Sequence, residues 1–335
     1  MLEAFKREIL EVDSKKFDEL ALKIFQYQAI NCKPYSNYLQ HLDVKIEEIN
    51  AIEKIPFLPI GFFKTQSVLL ENSSTEIIFE SSGTTGTNTS KHYVADRHFY
   101  NKIAVNIFEK EYGSLKNYHI IAMLPSYLER GNSSLIFMVQ HFIEKTESEY
   151  SSFYSTDFES IINVFNAIVK KESNKKILFW GVTFALLELA EAGFDFSFLN
   201  NKLIVLETGG MKGRKKEIVR EDLYQKLKKG FSVNEIHSEY GMTELLSQAY
   251  SKNNALFKCP NSMKILIRDT SDPFSIYPKN TKRTGGINVI DLANVESCSF
   301  IETQDLGQYG HEAGSFKVLG RFDNSDLRGC NLLIS

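Results

Sequence analysis

The sequence predicts an α/β protein with largely parallel sheets, and two patterns along the chain support this class. Between residues 77 and 227, apolar runs typical of strands alternate with turn-rich segments and amphipathic helical patterns, as after EIIFE, HIIAMLP, KILFWG and LIVLE. Such alternation is typical of parallel sheets covered by helices. After about Ser251 the helical patterns fade, and runs such as KILIRD and SFKVLGR predict a β-rich closing part.

These elements divide the chain into three predicted parts of one unit. Residues 1–60 are predicted to be helical, because Phe17, Leu20 and Ile24 recur at helical spacing before the turn-rich run IPFLPIGFFKTQ. Residues 61–250 are predicted to form the α/β core, and residues 251–335 a β-rich subdomain that ends in a short tail. Ligands of parallel sheets bind at the carboxyl ends of strands, so we expect the site in the loops that follow the core strands.

Composition and charge exclude several classes of protein. The 335 residues, 43% of them hydrophobic, suffice for a large buried core. The 39 basic and 42 acidic residues give a net charge of −3, without the basic stripe of a nucleic-acid binder. No apolar run approaches the ~20 residues that span a bilayer, and the N-terminal run lacks the apolar segment of a signal peptide. We therefore expect a cytoplasmic protein with no membrane span and no nucleic-acid partner, whose oligomeric state is left open.

The strongest local signal is the run SSGTTGTNTSK, which directly follows a predicted strand. Its glycines permit a tight turn, and its backbone N–H groups and hydroxyls can surround phosphate oxygens. It is not a Walker loop, because Asn88 stands where that motif requires its second glycine. The ordinary alternative is a polar surface turn. The candidate phosphate-binding residues are Ser81, Ser82, Gly83, Thr84, Thr85, Gly86, Thr87 and Lys91.

Five motifs, in one order along the chain, resemble the signatures of the adenylate-forming superfamily of acyl-CoA synthetases, adenylation domains and firefly-type luciferases. They are the run Ser81–Lys91, the turn Thr208-Gly209-Gly210, the run Tyr240-Gly241-Met242-Thr243-Glu244, Asp305 in IETQDLG and Arg321 in GRFD. The resemblance implies the large N-terminal domain of that fold, with two packed, largely parallel sheets, flanking helices and a β-rich subdomain. The small C-terminal domain of the superfamily is expected to be absent.

The resemblance also implies an ATP site with Mg²⁺, in which each motif has a role. Tyr240 would stack on adenine, beside the turns that contain Gly209, Gly210, Gly241 and Met242. Thr243 would bind the α-phosphate, and the Glu244 carboxylate is a suitable ligand for Mg²⁺. Asp305 would accept hydrogen bonds from ribose hydroxyls, and Arg321 would bind ribose or phosphate oxygens. Each residue taken alone has an ordinary structural alternative, whereas their joint occurrence favours the functional interpretation.

The C-terminal run GRFDNSDLRGCNLLIS resembles more specifically the acyl-protein synthetases, the fatty-acid–protein ligases of bacterial luciferase operons. In that family a cysteine near the C-terminus receives the acyl group as a thioester, and Cys330 stands in the matching place. Thiolates are strong nucleophiles toward activated acyl groups, and the nearby Arg328 would lower the pKa of this thiol. The alternative is a partly buried terminal cysteine. His237, just before the Tyr240 motif, is either a base or oxyanion donor or a structural histidine.

The leading prediction is therefore a ligase that activates a carboxylic acid, expected to be a fatty acid, as acyl-AMP. The acyl group would then pass to Cys330 and on to an acceptor. Its partners would be the acid and an acyl-acceptor or acyl-donor protein, or CoA. Two alternatives stay open at this point: an acyl- or aryl-CoA ligase that lacks its usual second domain, and a binding module that retains an acyl-adenylate or carboxylate without turnover.

Overall fold

The structure is a computed structural model that describes residues 1–81, 89–125, 131–209 and 220–322. In these ranges the helices are α1 (Leu2–Glu11), α2 (Phe17–Asn31), α3 (Lys33–His41), α4 (Phe62–Thr65), α5 (Arg97–Tyr112), α6 (Ser134–Thr146), α7 (Phe158–Lys170), α8 (Thr183–Glu191) and α9 (Arg220–Phe231). The first strands are β1 (Leu58–Pro59), β2 (Ile77–Glu80), β3 (Lys91–Val94), β4 (Tyr118–Met123), β5 (Ser152–Phe153), β6 (Lys176–Val182) and β7 (Leu203–Thr208). The remaining strands are β8 (Ile236–Tyr240), β9 (Ala249–Ser251), β10 (Leu256–Lys258), β11 (Met263–Arg268), β12 (Gly285–Asp291), β13 (Phe300–Tyr309) and β14 (Ser315–Arg321).

One mixed sheet of twelve strands runs through the described ranges, in the order β11-β12-β13-β14-β10-β9-β8-β7-β6-β4-β5, with β1 paired to β13. In this spatial order, neighbouring strands from β5 through β4, β6 and β7 to β8 are parallel. Neighbouring strands from β8 through β9, β10, β14, β13 and β12 to β11 are antiparallel. The direction changes at β9, which returns along β8 after a short loop. The hairpin β2–β3 forms a separate two-stranded sheet.

Helices cover both faces of the parallel part, because its strands are apolar on both sides. On β6, Phe179 packs its ring against Phe165 of α7 and Phe231 of α9. The next residue, Trp180, faces the opposite side and packs against Phe142 of α6. The result is the three-layer arrangement that alternating strands and helices predict, with the core buried between the layers.

The N-terminal helix α2 is hydrogen-bonded to a turn in the antiparallel part of the sheet. On α2, Phe17, Leu20 and Ile24 are buried, as their helical spacing predicts. The fully buried Gln28 on the same helix donates hydrogen bonds to the carbonyls of Asn294 and Val295, at 2.9 and 3.0 Å. The beginning of the chain therefore packs against a turn that lies some 266 residues later.

The α/β class is confirmed, but the strands are arranged differently from the two packed, largely parallel sheets that were expected. The difference arises because β9 pairs with β8, so that the later strands extend the existing sheet rather than start a second one. Apolar periodicity identifies a strand but does not identify its neighbours. The expected boundary near residue 251 falls at the end of β9, and the three-part division stays a prediction. Within the described ranges, no helix is both long and apolar enough to cross a bilayer.

Candidate active site

Tyr240, Asp305 and Arg321, taken from three of the sequence motifs, are in direct contact. The Tyr240 hydroxyl donates a hydrogen bond to Asp305 Oδ2 at 2.9 Å, and Arg321 Nε lies 3.1 Å from Asp305 Oδ1. Asp305 and Arg321 are cross-strand partners on β13 and β14, which places their side chains side by side. Because Tyr240 is the last residue of β8, its hydrogen bond places this pair at the carboxyl end of that strand.

Tyr240 and Asp305 of this cluster are buried, whereas the side chain of Arg321 is exposed. The Tyr240 ring is only 8% exposed and packs against Phe257 and Phe316, at centroid distances of 5.8 and 5.3 Å. Burial raises the pKa of Asp305, although Arg321 acts in the opposite direction. Both carboxylate oxygens of Asp305 already have a partner within the protein. A ribose bound here would use the remaining lone pairs of Asp305 or displace the exposed side chain of Arg321.

Glu244 lies at the base of the predicted phosphate loop. The residue is 5% exposed, and the side chain of Ser90 interacts with its carboxyl group. Ser90 pairs with Ser81 across the hairpin, through Ser81 N to Ser90 O at 3.0 Å and Ser90 N to Ser81 Oγ at 2.9 Å. Burial raises the pKa of Glu244, partly offset by the Ser90 hydrogen bond. The predicted magnesium ligand thus contacts the closing end of the Ser/Thr/Gly-rich run.

Lys91 lies apart from this contact. Along β3 the side chains alternate, so that Ser90 and His92 are buried while Lys91 is exposed on the opposite face. Its ammonium group lies 3.6 Å from Glu80 Oε1, its cross-strand partner on β2. In the structure as described, Lys91 forms a surface ion pair, and its contact with a phosphate group remains a prediction.

The turn after β7 and the end of β8 are held by buried carboxylates. Gly209 has a φ of +75°, a conformation that favours glycine, and its carbonyl accepts a hydrogen bond from Thr183. Thr208 donates to the Glu239 carboxylate on the adjacent strand. Burial raises the pKa of Glu239 to about 7. A Cβ atom at Gly241 would lie 2.2 Å from Glu239 Oε1, so that a larger residue at the end of β8 requires the Glu239 carboxyl group to move.

His237 has the contacts of a structural histidine. Its Nδ1 atom lies 3.1 Å from the Tyr112 hydroxyl, and the two rings are stacked with their centroids 5.7 Å apart. The residue is 9% exposed, and burial lowers its pKa to about 4. It therefore stays neutral near pH 7. Of the two readings of His237, these contacts favour the structural one.

The remaining members of the YGMTE motif are Gly241, Met242 and Thr243, which connect β8 to Glu244 and are exposed or half-buried. The remaining candidate residues lie outside the described ranges: Ser82, Gly83, Thr84, Thr85, Gly86, Thr87, Gly210 and Cys330. The convergence predicted for the whole nucleotide site is therefore visible only for its described members.

The model of the family described as "Acyl-protein synthetase, LuxE" matches residues 9–335. This chain belongs to the acyl-protein synthetase family. The match spans nearly the whole chain and confirms the resemblance that the C-terminal run and the adenylate-forming signatures predicted. A search of curated proteins found no match.

Solved structures with a similar arrangement share little sequence with this member of the acyl-protein synthetase family. IdnL1 has 12% identity and a TM-score of 0.44, covering 76% of this chain and 60% of its own. A fatty acyl-adenylate ligase from L. pneumophila, in complex with acyl adenylate and pyrophosphate, has 14% identity and a TM-score of 0.41, covering 78% and 52%. A multidomain structure of a keto acid-selecting NRPS module, with adenylation, ketoreductase and pseudo Asub domains, has 11% identity and a TM-score of 0.47, covering 85% and 27%. The chain thus spans less than two thirds of each of these proteins.

Sequence reasoning missed three buried polar residues that hold the YGMTE segment of this family member. His92 Nδ1 lies 2.9 Å from the Thr243 carbonyl, and Asn294 Nδ2 donates to the Glu244 carbonyl at 2.7 Å. Asp291 Oδ2 accepts hydrogen bonds from the backbone N–H groups of Leu246 and Ser247, at 2.9 and 2.8 Å. Polar residues inside the apolar runs HYV and NVIDLAN were the available signal, because such residues are buried only when they are paired.

The described residues fit a magnesium ion that arrives with a nucleotide. No group of three or more His, Cys, Asp or Glu side chains that could hold a metal ion by themselves occurs in the part of the chain that the structure describes. Mg²⁺ is commonly bound through one or two carboxylates together with substrate phosphates and water. A single buried carboxylate beside a candidate phosphate loop, as in Glu244, meets this requirement.

Proposed function

We propose that this protein uses ATP and Mg²⁺ to activate a carboxylic acid as acyl-AMP and then transfers the acyl group through Cys330 to an acceptor. The acid is a fatty acid, and the acceptor is a protein or CoA. Membership of the acyl-protein synthetase family supports a ligase of this type. The observation that carries the proposal is the cluster of Tyr240, Asp305 and Arg321, which joins three of the family-like motifs at one point.

In the first step, a carboxylate oxygen of the acid attacks the α-phosphorus of ATP. A new P–O bond forms while the bond from this phosphorus to the bridging oxygen breaks, and pyrophosphate leaves. The protein contributes chiefly positioning and charge neutralisation. Thr243 would bind the α-phosphate, and Glu244 would hold Mg²⁺, which neutralises phosphate charge when bound. Asp305 and Arg321 would hold the ribose, next to Tyr240.

In the second step, the Cys330 thiolate attacks the acyl carbon, the bond to the phosphate oxygen breaks, and AMP leaves. The thiolate form is required for this attack. The other three cysteines are unsuited to it, because burial raises the pKa of Cys32 to about 11 and that of Cys259 to about 12. Burial raises the pKa of Cys298 well above its usual value. Their thiols therefore stay protonated near pH 7.

The first step is tested by ATP–pyrophosphate exchange against a panel of fatty and aromatic acids. We expect exchange that depends on Mg²⁺ and on the acid, with the strongest response to a fatty acid. Exchange with acids of the panel, together with consumption of CoA and no labelling of the protein, would instead support a CoA ligase. Tight binding of an acyl-adenylate without any exchange would support a binding module.

The second step is tested by labelling with ATP and a radiolabelled acid. The wild type should acquire a label that hydroxylamine removes, as expected for a thioester. Cys330→Ser should lose this label or carry a hydroxylamine-resistant oxygen ester, while pyrophosphate exchange stays largely intact because activation precedes thiol attack. Cys259→Ser is the matched control and should label like the wild type. A hydroxylamine-sensitive label on Cys330→Ser would place the nucleophile elsewhere.

A further inference from the structure

The turn between β12 and β13, residues 291–299, contacts two segments of the candidate site at once. From one side, Asn294 donates to the Glu244 carbonyl at 2.7 Å, and its Oδ1 accepts from Leu246 N at 3.2 Å. From the other side, Ser297 Oγ lies 3.0 Å from Nε2 of His92, which follows the phosphate-loop run on β3. The turn thus connects the segment that contains Glu244 with the strand that contains Ser90.

The hydrogen bonds of His92 define its tautomer. The Thr243 carbonyl oxygen can only accept, so His92 Nδ1 must carry the proton in the 2.9 Å contact. Nε2 is then an acceptor, and the Ser297 hydroxyl donates to it. Two successive carbonyls, those of Thr243 and Glu244, are in this way fixed by two side chains that belong to different elements. The peptide between them cannot rotate without breaking at least one of these bonds.

The turn is itself fixed. Gln28 donates to the carbonyls of Asn294 and Val295, and its own Oε1 accepts from Ser299 N at 2.9 Å. Gln28, His92, Asn294 and Ser297 are all at most 2% exposed. Water therefore cannot replace a lost partner easily, and each contact restricts geometry more than a surface hydrogen bond would.

We propose that His92 and Asn294 are positioning residues, which hold Thr243 and Glu244 at the base of the phosphate loop in the arrangement that acyl-AMP formation requires. This inference rests on the proposed function and adds to it the residues through which the 291–299 turn controls the site. Errors of about 1 Å in the position of catalytic groups can lower rates about 100-fold. Loss of these contacts should therefore lower the rate of acyl-AMP formation more than the accompanying loss of stability alone would.

A matched set of variants separates positioning from stability. His92→Asn keeps an amide donor near the place of Nδ1 and so retains the bond to Thr243, whereas His92→Gln places its amide near Nε2 and loses that bond. His119→Gln is the control, because His119 is also buried and bonded to two serines, Ser148 and Ser173, at 2.6 and 2.8 Å. His119 lies on β4, away from the YGMTE segment.

Exchange kinetics and urea unfolding are measured for all variants. His92→Gln and Asn294→Ala should lower kcat for pyrophosphate exchange about 30- to 100-fold, with less change in KM for ATP. His92→Asn should recover most of this loss, and His119→Gln should stay within about threefold of the wild type at comparable stability. The inference is overturned if His92→Gln loses no more activity than His119→Gln, or if His92→Asn is as impaired as His92→Gln.

Failure of the proposed function gives a different result. If no acid supports exchange by the wild type, acyl-AMP formation is refuted, and amide hydrogen exchange still tests the positioning contacts. His92→Gln should then selectively increase exchange in residues 243–247, while His119→Gln should leave that segment protected. Equal protection of the segment in both variants would overturn the inference independently of any activity.

Discussion

At the candidate site, the carboxyl group of Asp305 connects the parallel part of the sheet with the antiparallel part. It accepts from Tyr240 on the parallel side and pairs with Arg321 on the antiparallel side. In the same way, Glu244 connects the YGMTE segment with Ser90, which lies next to the hairpin β2–β3. Single acidic residues thus join segments that are distant in sequence, and their substitution gives sharp tests of function.

Asp305→Asn should reduce the ability to distinguish ATP from 2′-deoxy-ATP. If the carboxylate accepts a ribose hydroxyl, the wild type should have a KM about tenfold or more higher for 2′-deoxy-ATP, as for a hydrogen bond to a charged group. The variant should lose most of this ratio. Glu302→Gln, on the same strand, is the control and should keep it. An unchanged ratio in Asp305→Asn would assign the ribose to other residues.

Glu244→Gln should impair turnover far more than folding. Glutamine has the same shape and can retain the hydrogen bond with Ser90, but it lacks the charge that binds Mg²⁺. We expect the exchange rate to fall at least about 30-fold, as for loss of an electrostatic contact in a water-excluded site. Asp96→Asn removes a carboxylate that pairs with Lys6 at 2.8 Å and lies outside the 291–299 turn, and it should affect stability without this loss of activity. Similar activities in the two variants would contradict the role of Glu244.

At the scale of elements, the end of β8 is closely packed against the adjacent strand β7. Thr208 of β7 bonds to Glu239, whose carboxyl group occupies the space where any side chain at position 241 would begin. The chain can then turn directly into Met242 and Thr243. The close approach of Gly241 to the half-buried Glu239 therefore helps to set the path of the chain into the YGMTE loop.

Gly241→Ala should lower the free energy of unfolding by up to about 1–3 kcal/mol, the range for overpacking, because the added methyl group must displace the Glu239 carboxyl group although Gly241 itself is exposed. Urea unfolding at constant pH measures the change. Gly61→Ala is the control, because a Cβ atom at Gly61 would meet nothing within 4 Å and its backbone is already in a helical conformation. Equal stability of the two variants would show that Glu239 moves aside without difficulty.

The elements could be predicted largely from the sequence, but their contacts could not. The runs that became β4, β6 and β7 were identified from their apolar character, and Tyr240 and Asp305 from their motifs. The roles of His92 and Asn294 depend on partners 151 and 50 residues away along the chain. No local pattern encodes such a separation. A buried polar residue signals that a partner exists, not which residue it is.

At the scale of the whole molecule, three buried histidines make stability depend on pH. Burial lowers the pKa of His92, His119 and His237 to about 4 each. In the unfolded chain a histidine titrates near 6.5. Between about pH 6.5 and 4 the unfolded chain therefore binds more protons, and the free energy of unfolding falls as the pH falls. Glu239, with its raised pKa, acts in the opposite direction.

Comparison of the wild type with His119→Gln isolates one of these contributions. The variant should show a slope of unfolding free energy against pH that is shallower by up to about 1.4 kcal/mol per pH unit between pH 6.5 and 4. Above pH 7 the two curves should run parallel, even if the variant is less stable throughout. Urea unfolding at half-unit pH steps provides the measurement. Parallel curves in the acidic range would mean that His119 protonates freely in the folded state.

The bonds between Gln28 and the 291–299 turn have a consequence for synthesis on the ribosome. Their partners are separated by 266 and 267 residues, so Gln28 lacks these partners until residues 294 and 295 have left the exit tunnel. Contacts of such long range also slow folding, because a large loop must close first. During translation the nascent chain should therefore remain open to proteases and chaperones at least until residues 291–299 have left the ribosome. Only then can the turn that holds Glu244 acquire its own support.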